Sequence, residues 1–104
     1  MGADDAGRWL LTRTKPRREA YAAINVRRQQ HEYFLPYVRE SVYGRERVVP
    51  MFPSYLFVKV FERWGFLEST YGMQGIVAFG EEPAFVPPGE IARLMRESVY
   101  DDEA

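Results

Sequence analysis

The sequence predicts an α+β fold, an antiparallel β-sheet flanked by helices, in the order β-α-β-β-α-β followed by a short strand and a C-terminal helix. Three observations carry that expectation. The stretch Tyr55-Leu56-Phe57-Val58-Lys59-Val60 alternates with period two. The run from Pro16 to about Gln30 holds good helix formers and no glycine. Beyond it, short apolar runs are separated by Gly, Pro and charged turn residues.

Within the 104 residues, 1–7 are expected to be disordered, 8–100 to form one domain and 101–104 to be an acidic tail with nothing to bury. Trp9-Leu10-Leu11-Thr12-Arg13-Thr14 reads as the first strand. Pro16 suits a first helical turn. On the helix that follows, Ala22, Ala23 and Val26 share one side, the expected core stripe, and Arg18, Tyr21, Asn25, Arg28 and Gln29 share a second. That mixture of cations, amides and one ring suits phosphate contact, hydrogen bonding and base stacking. It equally describes an ordinary solvated helix face. His31-Glu32 ends the helix, and Tyr33 to Tyr43 is extended, with Pro36 at an edge or bulge. Gly44 with Arg45-Glu46-Arg47 marks a turn. Pro50 and Pro53 fix the approach to the central strand and hold Phe52 on a stiff loop.

Arg63 to Thr70 fits a short helix, with Gly72 beyond its end. Ile76-Val77-Ala78-Phe79 reads as a strand stopped by Gly80, Glu81-Glu82-Pro83 as a turn, and Ala84-Phe85-Val86 as a short strand ended by Pro87. Pro88 opens a last helix in which Ile91, Leu94 and Met95 repeat at helical spacing. The helices are expected mainly on one face of the sheet. The central strand is apolar on both faces, with Tyr55 and Phe57 on one and Leu56 and Val58 on the other, so each face needs a cover. It is either buried on both sides or leaves one side as an apolar groove for a partner.

Residues 1–52 carry ten Lys/Arg against six Asp/Glu, and residues 53–104 carry four against nine. The front half therefore suits a polyanion better than the back half. There is no cysteine and one histidine, His31, which leaves no disulfide framework and no thiolate metal site. No Gly-rich phosphate loop, nucleophile elbow or histidine pair at ligand spacing is present. No enzymatic activity and no cofactor or metal is expected. No apolar run approaches membrane-spanning length, and the start Met1-Gly2-Ala3-Asp4-Asp5 is unlike a secretory signal. The expected location is cytoplasmic, with no membrane partner.

Phe52-Pro53-Ser54-Tyr55-Leu56-Phe57-Val58 resembles the Phe-Pro-Gly/Asn-Tyr-x-x-Val signature of the N-terminal (NGN) domain of the NusG/RfaH family, a ferredoxin-like plait. Trp9-Leu10-Leu11 with Lys15 looks like the family's opening strand, and Trp64-Gly65-Phe66-Leu67-Glu68-Ser69-Thr70 is similar to its Trp-bearing helix. Gly75 to Gly80 followed by Pro83-Ala84-Phe85-Val86-Pro87 looks like its closing strands, and the Phe79-Gly80 and Pro83-Ala84-Phe85-Val86-Pro87 run looks nearer to RfaH-type specialised paralogues than to housekeeping NusG. The resemblance runs from about Trp9 to Glu97. It implies a transcription elongation and antitermination factor that rides on RNA polymerase and suppresses pausing. An apolar groove would hold the clamp helices of the largest catalytic subunit, and the positions that match are Leu11, Phe52, Pro53, Tyr55, Phe57, Phe79, Ile91 and Leu94. Positions resembling non-template-DNA contacts are Lys15, Asn25, Arg28 and Gln29, with Thr70 nearby.

In the RfaH branch a His-Thr-Thr segment touches a second polymerase subunit across the cleft. Arg63-Trp64-Gly65 stand there in this sequence, so such a contact would use different chemistry. The family normally adds a linker and a small C-terminal β-barrel, the KOW domain, that recruits the ribosome or a termination factor. The sequence ends at Ala104 without that half, which implies an excised domain or a stand-alone form, with those partners only where a KOW domain follows. Two other readings stay open. A single-stranded RNA-binding plait shares the element order, but its Lys/Arg-Gly-aromatic-Gly start is missing. A protein-interaction plait would need no nucleic acid.

Overall fold

Over residues 7–99, which the computed structural model describes, nine strands and two α-helices follow the chain. They are β1 (Arg8–Thr14), α1 (Glu19–Arg28), β2 (Tyr33–Phe34), β3 (Tyr37–Val42), β4 (Arg45–Pro50), β5 (Tyr55–Val60), a 3-10 helix (Gly65–Ser69), β6 (Met73–Ile76), β7 (Ala78–Phe79), β8 (Glu82–Pro83), β9 (Phe85–Val86) and α2 (Pro88–Glu97). The expected disordered start, except Gly7, and the expected acidic tail lie outside the described residues. The fold is α+β with antiparallel sheets, consistent with an NGN-type plait.

The main sheet has the order β2-β5-β1-β6, with β9 also paired to β1. β1 and β5 form its centre, with Leu10 opposite Val58, Leu11 opposite Phe57, Thr12 opposite Leu56 and Arg13 opposite Tyr55. Residues opposite one another share a face, so this register sorts the apolar side chains into two sets. Leu10, Leu56, Val58 and Val60 pack with Ala22, Ala23 and Val26 of α1, Leu67 of the 3-10 helix and Met73. Trp9 and Phe57, on the other face, pack with Ile91 and Leu94 of α2. The helices therefore sit on opposite faces, not mainly on one. The sequence reason is that β1 and β5 are apolar on both sides, and each side recruits its own amphipathic helix.

Several element boundaries differ from expectation. α1 starts at Glu19 because Pro16 lies in a turn and Arg17 takes a left-handed conformation (φ 62°), which interrupts a helix. The extended run from Tyr33 to Tyr43 breaks at the buried Pro36 into β2, on the main sheet, and β3, which pairs with β4 in a separate ribbon. A two-residue turn closes that ribbon, with Tyr43 at φ 52° and Gly44 at φ 77°, the positive pair a tight hairpin requires. The segment around Trp64 forms five residues of 3-10 helix. The expected strand at Ile76–Phe79 splits, and Glu82–Pro83 pairs back on Ala78–Phe79 instead of forming a turn.

Phe57 is 5% exposed under α2. Its ring centroid lies 5.8 Å from Phe34 and 6.1 Å from Phe52, and Trp9 meets Phe34 edge-on at 6.5 Å. This corrects the expectation that Phe57, Ile91 and Leu94 face an open groove: α2 closes over Phe57, and the three seal one another. Truncating a buried ring leaves a cavity, so Phe57→Ala should destabilise the domain by about 3–5 kcal/mol in urea denaturation. Unchanged stability would place Phe57 at a surface.

Candidate functional site

Burial falls off along the α2-covered face of the sheet. Trp9 and Phe57 are buried, Leu11 and Tyr55 are half-buried, and Arg13 is exposed. Since Arg13 pairs with Tyr55, the uncovered end of this face carries a ring and a cation together, and the Arg13 guanidinium stands 5.5 Å from the Tyr55 ring centroid. No carboxylate pairs with Arg13 among the described residues. Sequence reasoning missed this residue; strand alternation from Leu11 was the signal that placed it.

Phe52 and Pro53 border that end. The Tyr55 amide donates to the Phe52 carbonyl at 3.1 Å, Pro53 occupies the second position of the turn, and Ser54, the third, has φ 71°. A turn with Pro second and positive φ third is type II, which favours Gly or Asn at the third position. Ser54 therefore holds a conformation its side chain disfavours, at a cost of about 1 kcal/mol or more. Three bonds hold it there. The Thr14 amide donates to the Ser54 carbonyl at 2.8 Å, the Phe52–Tyr55 bond closes the turn, and the Ser54 amide donates to Glu19 Oε2 at 2.6 Å. Glu19 is 8% exposed and begins α1. A carboxylate in the first turn is also favoured by the helix dipole.

Phe79 lies 75% exposed on the hairpin β7–β8. That hairpin hangs from β1, because Val77 donates to the Leu11 carbonyl at 3.1 Å and Leu11 donates to the Ala84 carbonyl at 3.0 Å. Leu11, Phe52, Pro53, Tyr55 and Phe79 thus keep surface outside α2, while Phe57 lies beneath it against Ile91 and Leu94 of that helix.

A second surface lies on α1. Asn25 Nδ2 donates to the Tyr21 carbonyl at 2.9 Å and leans toward the Tyr71 carbonyl at 3.5 Å. Gln29 Nε2 donates to the Asn25 carbonyl at 3.1 Å and to Thr70 Oγ1 at 2.9 Å. Thr70 is buried and donates its own proton to the Phe66 carbonyl at 3.1 Å, so it positions Gln29 and is not open to solvent. Lys15 joins the same edge through its amide, 2.9 Å from the Gly72 carbonyl. Gly72 is needed there. It has φ 87°, and a Cβ would stand 2.9 Å from the Tyr21 ring and 3.0 Å from the Ala22 amide. Tyr21 and Tyr71 present exposed rings beside it, and Arg18 stacks 5.8 Å from Tyr21. Tyr71 was also missed, because it falls in a turn without periodicity. Lys15, Arg17, Arg18, Arg27 and Arg28 form no ion pair among the described residues. The one carboxylate between Lys15 and Gln30 is Glu19, which is turned inward.

Of the Arg63-Trp64-Gly65 segment, Arg63 and Gly65 are exposed. Trp64 is half-buried against the core, edge-on to Phe85 at 5.4 Å, with Arg8 6.0 Å from its ring. Among the described residues no group of three or more His, Asp or Glu side chains could hold a metal ion, and no helix is long and apolar enough to cross a membrane.

Compared with known proteins, residues 7–95 match a family model described as NusG, transcription termination factor nusG. No curated protein matches the chain.

Loss of a charge-assisted bond in a buried setting costs about 2 kcal/mol, so Glu19→Ala should lower stability by that amount while Glu19→Gln, which keeps an acceptor, should lower it by less. Ser54→Val, β-branched at positive φ, should lower the melting temperature and Ser54→Gly should not. Thermal denaturation of the four variants checks both statements. Equal melting of Ser54→Val and the parent would contradict the turn assignment.

Proposed function

Since the chain belongs to the NusG family and has a place in transcription on that ground, we propose that it binds the clamp helices of RNA polymerase and non-template DNA and suppresses pausing. The aromatic end formed by Leu11, Phe52, Pro53, Tyr55 and Phe79 takes the clamp helices. Phe57, Ile91 and Leu94 support it from below. Lys15, Asn25, Arg28 and Gln29 take the DNA strand, with Thr70 setting Gln29. Arg63, Trp64 and Gly65 form a segment that reaches a second subunit across the cleft, as in the RfaH-type branch to which Phe79-Gly80 and the run Pro83 to Pro87 are nearest. The observation that carries this reading is the Glu19–Ser54 bond: a turn bearing aromatic anchors is fastened to a helix whose cations form no ion pair among the described residues.

The domain then acts as a clip, without catalysis. A protein that touches both sides of the cleft stabilises the closed polymerase only by its differential affinity for the closed and open forms. A difference of about 1.4 kcal/mol changes their ratio tenfold. One or two aromatic anchors supply that much, since hot-spot rings commonly cost about 2 kcal/mol or more on truncation. The RNA-binding alternative is less well supported, because the sheet centre that would stack bases, Trp9 and Phe57, lies under α2.

Tyr55→Ala should weaken binding to a clamp-helix fragment about tenfold or more with little loss of stability, as measured by titration calorimetry and urea denaturation. A folded variant with unchanged affinity would count against the aromatic end. Arg28→Ala should weaken upstream-DNA crosslinking in an elongation complex and reduce its salt dependence. Unaltered crosslinking and pausing would refute the DNA role of α1.

A further inference from the structure

We propose that the outer edge of β2 takes the chain's own acidic segment, Tyr100-Asp101-Asp102-Glu103, as an added strand with its carboxylates beside Arg27. The proposal goes beyond the clamp and DNA readings and concerns a surface that neither of them uses.

β2 is an outer strand of the main sheet. Tyr33 lies opposite Val58 and Phe34 opposite Phe57, and the Lys59 amide donates to the Glu32 carbonyl at 2.9 Å. Bonded and non-bonded pairs alternate along an antiparallel ladder. Glu32 and Lys59 are a bonded pair, so Tyr33 and Val58 are a non-bonded one, and the Tyr33 amide and carbonyl point away from β5. No described residue bonds to either group. Such an edge is a template for one more strand. It already holds an extended segment further along. Ser98 leaves α2 extended (φ -73°, ψ 139°). The Val99 amide donates to the Tyr37 carbonyl at 3.0 Å, and the Tyr37 amide donates to Ser98 Oγ at 2.9 Å.

Val99 and Arg27 line one hollow of about 1110 Å³, walled by Ile24, Leu35 and Met95. Ile24 and Met95 are half exposed, and a ring such as that of Tyr100 suits the apolar surface they leave. Arg27 forms no ion pair among the described residues. The carboxylate in the lining, Glu32, stands 3.9 Å from Lys59. The residues that follow Val99 in the sequence carry what this hollow lacks, three carboxylates and a ring. Their length fits as well. Glu103 comes four residues after Val99 and Tyr33 four before Tyr37, so an antiparallel continuation ends opposite Tyr33. Four extended residues span about 13–14 Å. A segment tethered at Val99 has an effective concentration on the order of millimolar, so contacts of modest strength hold it.

The test is amide hydrogen exchange of the full chain, followed by NMR, with the Tyr33 amide as reporter. An added strand bonds that amide, which should then exchange about tenfold or more slower than in an unfolded peptide of the same sequence. The triple variant Asp101→Asn, Asp102→Asn, Glu103→Gln should lower this protection about threefold or more, and so should Arg27→Gln. Leu10 and Val58 should stay protected in both variants and report the intact fold. Reversing both partners, Arg27→Glu with Asp101→Lys and Asp102→Lys, should restore the protection of Tyr33. An unprotected Tyr33 in the parent chain, or equal protection in the triple variant, would overturn the proposal. Protection that rises with protein concentration would assign the edge to a second chain and overturn it likewise.

Discussion

The contact on which the two surfaces depend is the 2.6 Å hydrogen bond from the Ser54 amide to the buried Glu19 carboxylate. It joins the N-terminal turn of α1 to the turn that opens β5. Ser54 sits at a φ that disfavours a side chain, and a strained turn persists only when its surroundings over-determine it. Glu19, the Thr14 amide and the closing Phe52–Tyr55 bond do so here. A charge-assisted bond is well suited to the task, because it is short and directional and loses more when broken than a neutral one. The direction of Phe52 and the placement of Tyr55 both follow from that turn.

The rest of the architecture divides labour by sheet face. One face is filled from α1 and the 3-10 helix by small and aliphatic side chains, so α1 lies close to the sheet and turns Asn25, Arg28 and Gln29 outward. The opposite face is filled by rings, from Trp9 through Phe34 and Phe57 to Phe52, and capped by α2. The ring series begins in the interior and ends at a partly exposed Phe52. A partner seated on Phe52 and Tyr55 therefore presses on side chains continuous with the core. Rigid support of this kind limits the ordering cost of binding.

Much of this was legible in the sequence, and the exceptions have physical causes. Period two at Tyr55–Val60 and the Ala22, Ala23, Val26 stripe located the central strand and the first helix, since both patterns report burial directly. Pro53 marked a stiff loop, though not the strain at Ser54, because the turn type depends on the backbone angles that the surrounding bonds impose on Ser54. The placement of α2 over Phe57 was not readable. Alternation shows that a face needs a cover and does not say which helix supplies it. The α1 surface was located by helical periodicity, but its polarity was hidden. Which end of each amide faces out is decided by the Tyr21 and Asn25 carbonyls four residues back and, for Gln29, by the Thr70 hydroxyl, which only the fold brings within reach. Thr70, expected near the DNA contacts, is buried and accepts a hydrogen bond from Gln29. Tyr71, in a turn, carried no pattern of its own, and Arg13 was marked only by its alternation with Leu11 on β1.

The central claim is that the uncovered end of the ring-filled face and the cationic side of α1 are separate working surfaces of one rigid domain. Amide chemical-shift mapping of the full chain during titration with a clamp-helix fragment tests it most directly. The account predicts perturbations at Leu11, Arg13, Phe52, Ser54, Tyr55 and Phe79, with Asn25, Arg28 and Gln29 unmoved. Perturbations confined to α1, or none at Phe52 to Tyr55, would contradict it.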